Sequence, residues 1–279
     1  MIKTLDITKG ETEGLYKFLT AAVAPRPIAF VSTVDKNGNK NLSPFSFFNV
    51  FSVNPPILVF SPVRRMRNNT SKHTLDNIHQ VKECVISLVS EEIAQQVSLA
   101  SCDFDAEVNE FEKAGFTEVK SDLVIPSRIK ESPINFECKV NEIITLGEQG
   151  GAGSLVLCEV LKMHINENVL DENNDIDPFK LNIVSRLGAN WYGKTTKESL
   201  YEIAKPISRM GMGIDNLPEN IRNSNILTGN ELAILASAEN IPSKNEFTVR
   251  EEKNTEEKHI LAKELLSQGK SEEAWQILI

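Results

Sequence analysis

The sequence predicts a mainly β fold: an antiparallel barrel with short peripheral helices, then a C-terminal extension ending in a helix. Three observations carry this. Through residue 165, strand-like runs rich in Val, Ile and Phe outnumber helical ones. Few strand–helix–strand units alternate, which argues against a doubly wound parallel sheet. Two long β-runs, residues 135–145 and 155–165, follow one another with a Gly-rich break between them.

The elements follow in chain order. Helical spacing of Leu15, Phe18, Leu19 and Ala22 predicts a helix over residues 11–24, stopped by Pro25. Residues 28–34 form a β-branched, aromatic strand. Asn37-Gly38 is a hairpin signal, so residues 41–49 are the return strand. Pro44 lacks an amide hydrogen and makes that strand irregular or places it at an edge. Pro55-Pro56 opens a strand over residues 57–61, and a polar loop follows at 64–69. Thr70 or Ser71 caps a helix running to residue 82, with Leu75, Ile78 and Val81 on one side. Residues 84–89 read as strand, and 91–99 and 108–114 as short helices. Gly150-Gly151-Ala152-Gly153 is a flexible connection. Residues 206–250 lose periodicity and gain Pro, Asn and Ser, so they read as an irregular extension without its own core. From Asn254 a charged helix carries Ile260, Leu261, Leu265, Leu266 and Trp275 on one side, as a partner helix or a tail. The expected division is 1–205, 206–250 and 251–279.

Bulk composition narrows the function. A hydrophobic content of 41% suffices for a sizeable core. A net charge of -9 argues against general nucleic-acid binding and against docking on anionic membrane. No apolar run approaches the roughly 18 residues that span a bilayer. The N-terminus has no apolar signal core, so the expected compartment is the cytoplasm. The four cysteines form no C-x-x-C pair and have no His at ligand spacing, so neither a metal site nor a redox dithiol is expected. Cys84, Cys138 and Cys158 lie in apolar runs and read as small core residues. No His accompanies a Ser or Cys nucleophile in a recognisable context, and no G-x-G-x-x-G follows a strand.

Residues 36–75 contain no Asp or Glu, although the chain holds 39 acidic residues in 279. The window carries Arg64, Arg65, Arg67, Lys72 and His73, together with Phe45, Phe47, Phe48, Phe51 and Phe60. A buried sheet excludes acids and explains the Phe-rich part; it leaves the packed arginines unexplained. Those arginines precede a helix start, where free N–H groups and the helix dipole favour an anion. Thr70, Ser71 and Thr74 add hydroxyl donors, arginine forks grip phosphate, and Lys72 is a point charge. The bland alternative is a capped surface helix with solvated arginines. Just upstream, Phe45, Phe47 and Phe51 alternate with Ser46 and Phe48, and Pro44 frees backbone groups for a ligand edge. Alternating Phe is also ordinary core packing. Gly188 to Thr195 formally matches the nucleotide phosphate loop. Trp191 and Tyr192 are too bulky for that loop's tight turns, so an aromatic contact near a ring cofactor or a subunit interface is the better reading.

These segments together resemble the flavin reductase-like family, the FMN-binding split barrels close to flavoredoxin. The resemblance runs in order over residues 10–195. Ala24-Pro25-Arg26-Pro27-Ile28-Ala29 comes first, then Asn41-Leu42-Ser43-Pro44-Phe45-Ser46-Phe47-Phe48-Asn49, then Asn54-Pro55-Pro56. Lys72-His73-Thr74-Leu75-Asp76-Asn77-Ile78 matches the family's Lys-Asp-Thr-x-x-Asn-Ile, with His73 in place of Asp, and residues 109–116 are also similar.

The resemblance implies a dimer of six-stranded Greek-key barrels with FMN near the subunit interface. Backbone around Ser46, Phe47 and Phe48 would meet the isoalloxazine, and Arg67, Thr70, Lys72 and Thr74 would lie near the phosphate. Thr33, Asn49, Ser61, Arg65, His73 and Trp191 complete the candidate cofactor contacts. The implied activity is an FMN-dependent, NAD(P)H-linked flavin reductase, with NADH or NADPH docking transiently. The cofactor carries such chemistry, so no catalytic acid, base or nucleophile is expected. The alternative is a non-catalytic flavin-binding electron carrier or flavin store.

Overall fold

The structure is a computed structural model that describes residues 1–9, 14–203, 210–244 and 254–279. These form two compact units, Met1–Tyr201 and Glu202–Ile279. The first unit opens with helix α1 (Leu15–Ala22); Glu11, Thr12 and Glu13, where the sequence starts this helix, lie outside the described residues. Strands β1 (Ala29–Val34) and β2 (Lys40–Phe45) form the expected hairpin. Its turn is tied by Asp35, whose Oδ1 accepts from the Asn37 and Asn39 amides at 2.8 and 2.9 Å. Gly38, at φ 88°, takes the left-handed backbone this turn needs.

After β2 the chain departs from the sequence reading. Residues 41–49 are not one strand. The backbone bends at Ser46–Phe47, and a separate strand β3 (Phe48–Val53) pairs with β4 (Pro56–Phe60). The Ser61 amide donates to the Phe47 carbonyl at 2.8 Å and holds this bend. The Phe alternation is broken with it: Phe45 is buried, Phe47 is half-exposed and Phe51 is 69% exposed.

Helix α2 (His73–Gln80) follows, then β5 (Glu83–Leu88), α3 (Ala94–Ala100) and α4 (Glu110–Ala114). Neither Thr70 nor Ser71 caps α2. Lys72 is the N-cap residue, without a side-chain cap, because Thr70 Oγ1 turns back to Asn68 Oδ1 at 2.8 Å. A two-residue ribbon, β6 (Glu118–Val119) with β7 (Arg128–Ile129), precedes the long pair β8 (Ile134–Thr145) and β9 (Ser154–Ile165). Helix α5 (Pro178–Leu181) and the hairpin of β10 (Val184–Arg186) and β11 (Tyr192–Lys194) complete the unit.

The main sheet is antiparallel and seven-stranded, one strand more than the resemblance implies, in the order β2-β1-β5-β8-β9-β4-β3. Pro44 lies on edge strand β2, where its missing N–H breaks no inner ladder. Strand β1 is buried on both faces, which explains its nearly unbroken apolar run. Ala29 and Val31 pack in one core with Phe60, Ile86 and, from α2, Ile78. Ile28 and Phe30 pack in a second core with Val97 of α3 and Phe111 of α4. Each fully buried Val, Ile or Phe side chain among these contributes about 1.5–3 kcal/mol. Cys84, Cys138 and Cys158 are buried in the first core as the sequence predicts, and all four cysteines are free.

The second unit has a core, contrary to the expectation for residues 206–250. Helices α6 (Glu219–Arg222) and α7 (Gly229–Ala236) supply Ile221, Leu232 and Leu235, with Leu217 and Leu227 between and before them. Their short apolar runs are spaced by Pro218 and by a Thr228–Glu231 capping box, so no long periodicity reveals them. The expected single terminal helix is two, α8 (Thr255–Ser267) and α9 (Ser271–Leu278). Gly269, at φ 76°, turns the chain between them and lets Leu266 and Trp275 share that core. Among the described residues no helix is long and apolar enough to cross a membrane.

Candidate functional site

The arginine-rich segment folds as a self-bonded turn. The Arg65 amide donates to the Thr70 carbonyl at 2.9 Å and the Asn69 amide to the Arg65 carbonyl at 2.8 Å. Asn69 takes φ 55°, a conformation Asn tolerates better than most residues. Arg64 is an internal brace, its Nε donating to Asn69 Oδ1 at 2.8 Å. The turn leans on the β8–β9 connection. The Arg64 amide donates to the Ala152 carbonyl at 2.9 Å, and the Gly151 amide returns a bond to the Arg64 carbonyl at 3.0 Å. A Cβ on Gly150 would stand 3.1 Å from the Met66 Cα, so a residue without one lets the two backbones approach.

Arg65, Arg67, Thr70 and His73 line a cleft of 430 Å³. Its other wall is acidic. Arg65 Nη2 and Nε reach Asp103 Oδ1 at 2.8 and 3.0 Å, and Arg67 Nη2 pairs with Asp103 Oδ2. Asp76 and Asp105 lie in the same lining. The cationic loop is therefore locally balanced by acids from outside the acid-free window. A smaller adjoining recess joins Arg65, Lys72 and His73 to Ser43 of β2. Burial lowers the pKa of Lys72, and the like charges of Arg65 and Arg67 lower it further.

The candidate residues divide into four groups. Arg65, Arg67, Thr70, Lys72 and His73 come together around the cleft and its recess. Ser46, Phe47, Phe48, Asn49 and Ser61 gather at the bend between β2 and β3; Asn49 there is exposed, its Oδ1 accepting from the Val50 amide at 2.8 Å. Thr33 and Thr74 are buried, Thr74 in the lining of the recess. Thr33 Oγ1 accepts from Asn77 Nδ2 at 3.2 Å beneath α2. Thr74, 1% exposed, donates to Asn41 Oδ1 at 2.5 Å, and Asn41 Nδ2 donates to Glu110 Oε1 at 2.7 Å. Glu110 Oε2 also accepts the Leu42 amide at 2.9 Å; burial raises the pKa of this carboxyl, and these bonds only partly oppose that. Trp191 stands apart at the β10–β11 hairpin, 75% exposed.

The cleft and the bend are joined by β2. Ser43 of β2 lines the recess, and the strand ends at Phe45, just before the bend. At the bend, the Arg26 guanidinium lies 5.8 Å from the Phe47 ring centroid. Its Nη1 donates to the carbonyls of Thr20 and Val23 at the end of α1. Arg186, bonded backbone to backbone with Arg26, stacks 4.4 Å from the Tyr192 ring. The structure thus has an arginine turn that holds the Asp103 carboxylate and, at the bend after β2, a cationic aromatic step.

Two other clusters have structural partners. The segment matching a phosphate loop is the β10–β11 hairpin, in which the Trp191 amide donates to the Gly188 carbonyl and Lys194 pairs with Glu91 at 3.0 Å. Asp122, Glu137 and His164 converge, but Lys162 meets Asp122 at 2.6 Å and two backbone amides bind Glu137 at 2.7 and 2.9 Å. Asp103, Asn41, Glu110 and Arg26 were absent from the sequence-derived site. Arg26, Asn41 and Glu110 stood within quoted motifs, whereas Asp103 carries no local signal, because only the tertiary fold brings residues 101–109 to the arginine turn.

A family model described as flavin reductase like domain matches residues 22–182. The crystal structure of nitrilotriacetate monooxygenase component B from Bacillus cereus has 27% identity and a TM-score of 0.67, covering 73% of this chain and 99% of that one. That of 2-nitrobenzoate 2-nitroreductase from Pseudomonas fluorescens has 28% identity and a TM-score of 0.65, covering 76% and 100%. Flavoredoxin of Desulfovibrio vulgaris shares the fold at 18% identity and a TM-score of 0.56, covering 67% and 93%.

Proposed function

We propose, since the chain belongs to the flavin reductase like domain family, that it is an FMN-binding oxidoreductase reduced by NADH or NADPH. The observation that carries this reading is the pairing of the arginine turn with the aromatic bend along β2. Arg65, Arg67, Thr70 and Lys72 would hold the phosphate, and the backbone from Ser46 to Phe48 would meet the ring. FMN, when bound, supplies the two-electron chemistry. The chain's residues bind and orient it, and Arg26 and Arg186 provide positive potential where added electrons would place negative charge. Thr33 lies beneath α2, and Thr74 lines the recess beside Lys72 with its hydroxyl bonded to Asn41.

The same reading includes a homodimer. Edge strand β3 exposes Val50, Phe51 and Val53, the last at 85%, and a bare apolar edge favours pairing with a second copy. It also takes the cytoplasm as the compartment, because free buried thiols suit a reducing one; the Cys84 and Cys158 sulfurs share a hydrogen bond at 3.7 Å and no disulfide.

The test is titration of the purified chain with FMN, followed by NADH or NADPH under anaerobic conditions. Quenching of flavin fluorescence and bleaching of the bound flavin are expected. Binding without bleaching by either nucleotide would leave a flavin carrier or store. Failure of FMN to bind overturns the reading.

A further inference from the structure

We propose that Asp103 determines how strongly this site prefers a phosphorylated flavin over an unphosphorylated one. Its carboxylate occupies the place between Arg65 and Arg67 that a phosphate monoester would take, so FMN binds by displacing it and remains exchangeable. This rests on the flavin reading above.

Each oxygen of the Asp103 carboxylate is gripped by a different guanidinium. Arg65 bonds Oδ1 through Nη2 and Nε, and Arg67 bonds Oδ2 through Nη2. A phosphate would satisfy the same donors in the same two-armed manner. Asp103 lies on the 101–109 segment between α3 and α4, opposite the turn, and not on the arginine turn itself. The turn's geometry does not depend on it: its own backbone bonds, the Arg64–Asn69 brace and the 150–153 connection hold it. Lys72, half-buried beside Arg65, pairs with no carboxylate among the described residues, so one cation stays ready for an incoming anion. The phosphate therefore replaces an existing anion, and its contribution to affinity is the difference between two ion pairs. Asp76 and Asp105 in the same lining repel a dianion further.

The experiment measures FMN and riboflavin dissociation constants on the full chain, for wild type, Asp103→Asn and Asp103→Ala, by flavin fluorescence. Wild type is expected to prefer FMN over riboflavin only modestly. Both variants should bind FMN about tenfold more tightly and riboflavin within about twofold of wild type. FMN should leave them more slowly, and inorganic phosphate should compete with FMN better than in wild type. The second variant guards against a new hydrogen bond made by the asparagine. Weaker or unchanged FMN binding in both variants overturns the inference, since Asp103 would then be orienting the arginines or be irrelevant to them. Equal tightening for both flavins also overturns it. Failure of both flavins to bind any of the three proteins removes the flavin reading itself.

Discussion

Thr70 and Thr74 stand four residues apart in one polar motif and end in opposite environments. Thr70 is on the surface, touching Asn68 and Arg65 in an open cleft. Thr74 is buried at the smaller recess, locked to Asn41 and through it to Glu110. The start of α2 lies between them. The residues before it belong to a turn that leans outward, and those after it face the sheet. A run of hydroxyl, amide and cationic side chains can therefore split between gripping a ligand and bolting a helix to a strand. Composition alone does not separate the two uses.

The sharpest way to break this comparison is to remove the interior anchor. Glu110→Ala leaves Asn41 Nδ2 and the Leu42 amide buried without their acceptor. It should lower stability by about 3 kcal/mol, read from urea unfolding. An unchanged midpoint would mean the Thr74–Asn41–Glu110 chain holds nothing together. On the outer side, Arg67→Ala should hardly move that midpoint, but should weaken FMN by a few-fold, erasing its modest preference over riboflavin, and leave riboflavin alone. A large loss of stability instead would show that the turn, too, is structural.

A third test extends the comparison to the second unit. His259 is buried, and its Nδ1 lies 2.7 Å from Ser224 Oγ. That hydroxyl already accepts the Ile226 and Leu227 amides, so its proton goes to the imidazole, which must be neutral. Burial lowers the His259 pKa from 6.5. The folded unit thus binds fewer protons than the unfolded one just below that value, so stability rises with pH there and falls on acidification. Its contribution is fully present above pH 6.5 and is lost as the solution is acidified. Melts followed by Trp275 fluorescence in a Trp191→Phe background should show the decline on acidification, and His259→Gln should flatten it. The smallest effect belongs to Trp191→Ala at the exposed hairpin. Stability should change by less than about 0.5 kcal/mol, and FMN affinity by a few-fold at most in the same titration.

Much of the barrel was legible. The doubly buried β1 is written in its unbroken apolar run, the β1–β2 turn in Asn37-Gly38, and the β8–β9 pair in its length. Pro44 correctly marked an edge. The bend at Ser46–Phe47 was hidden because the aromatic alternation runs straight through it, while the decisive bond comes from Ser61. The second unit's core was hidden because its apolar residues come in short pieces that meet only after folding. The arginine turn was visible as charge; its partner Asp103 was not, since charge balance in a fold is settled between distant segments.

The glycine connection behind the arginine turn has a consequence for redesign. Gly150 acts as a shim whose thickness sets how far the cationic hook projects: a methyl there would press on Met66 and the Arg65 carbonyl, 3.1 and 3.3 Å away. If the turn holds the cofactor as proposed, a change at Gly150 would retune that grip from behind.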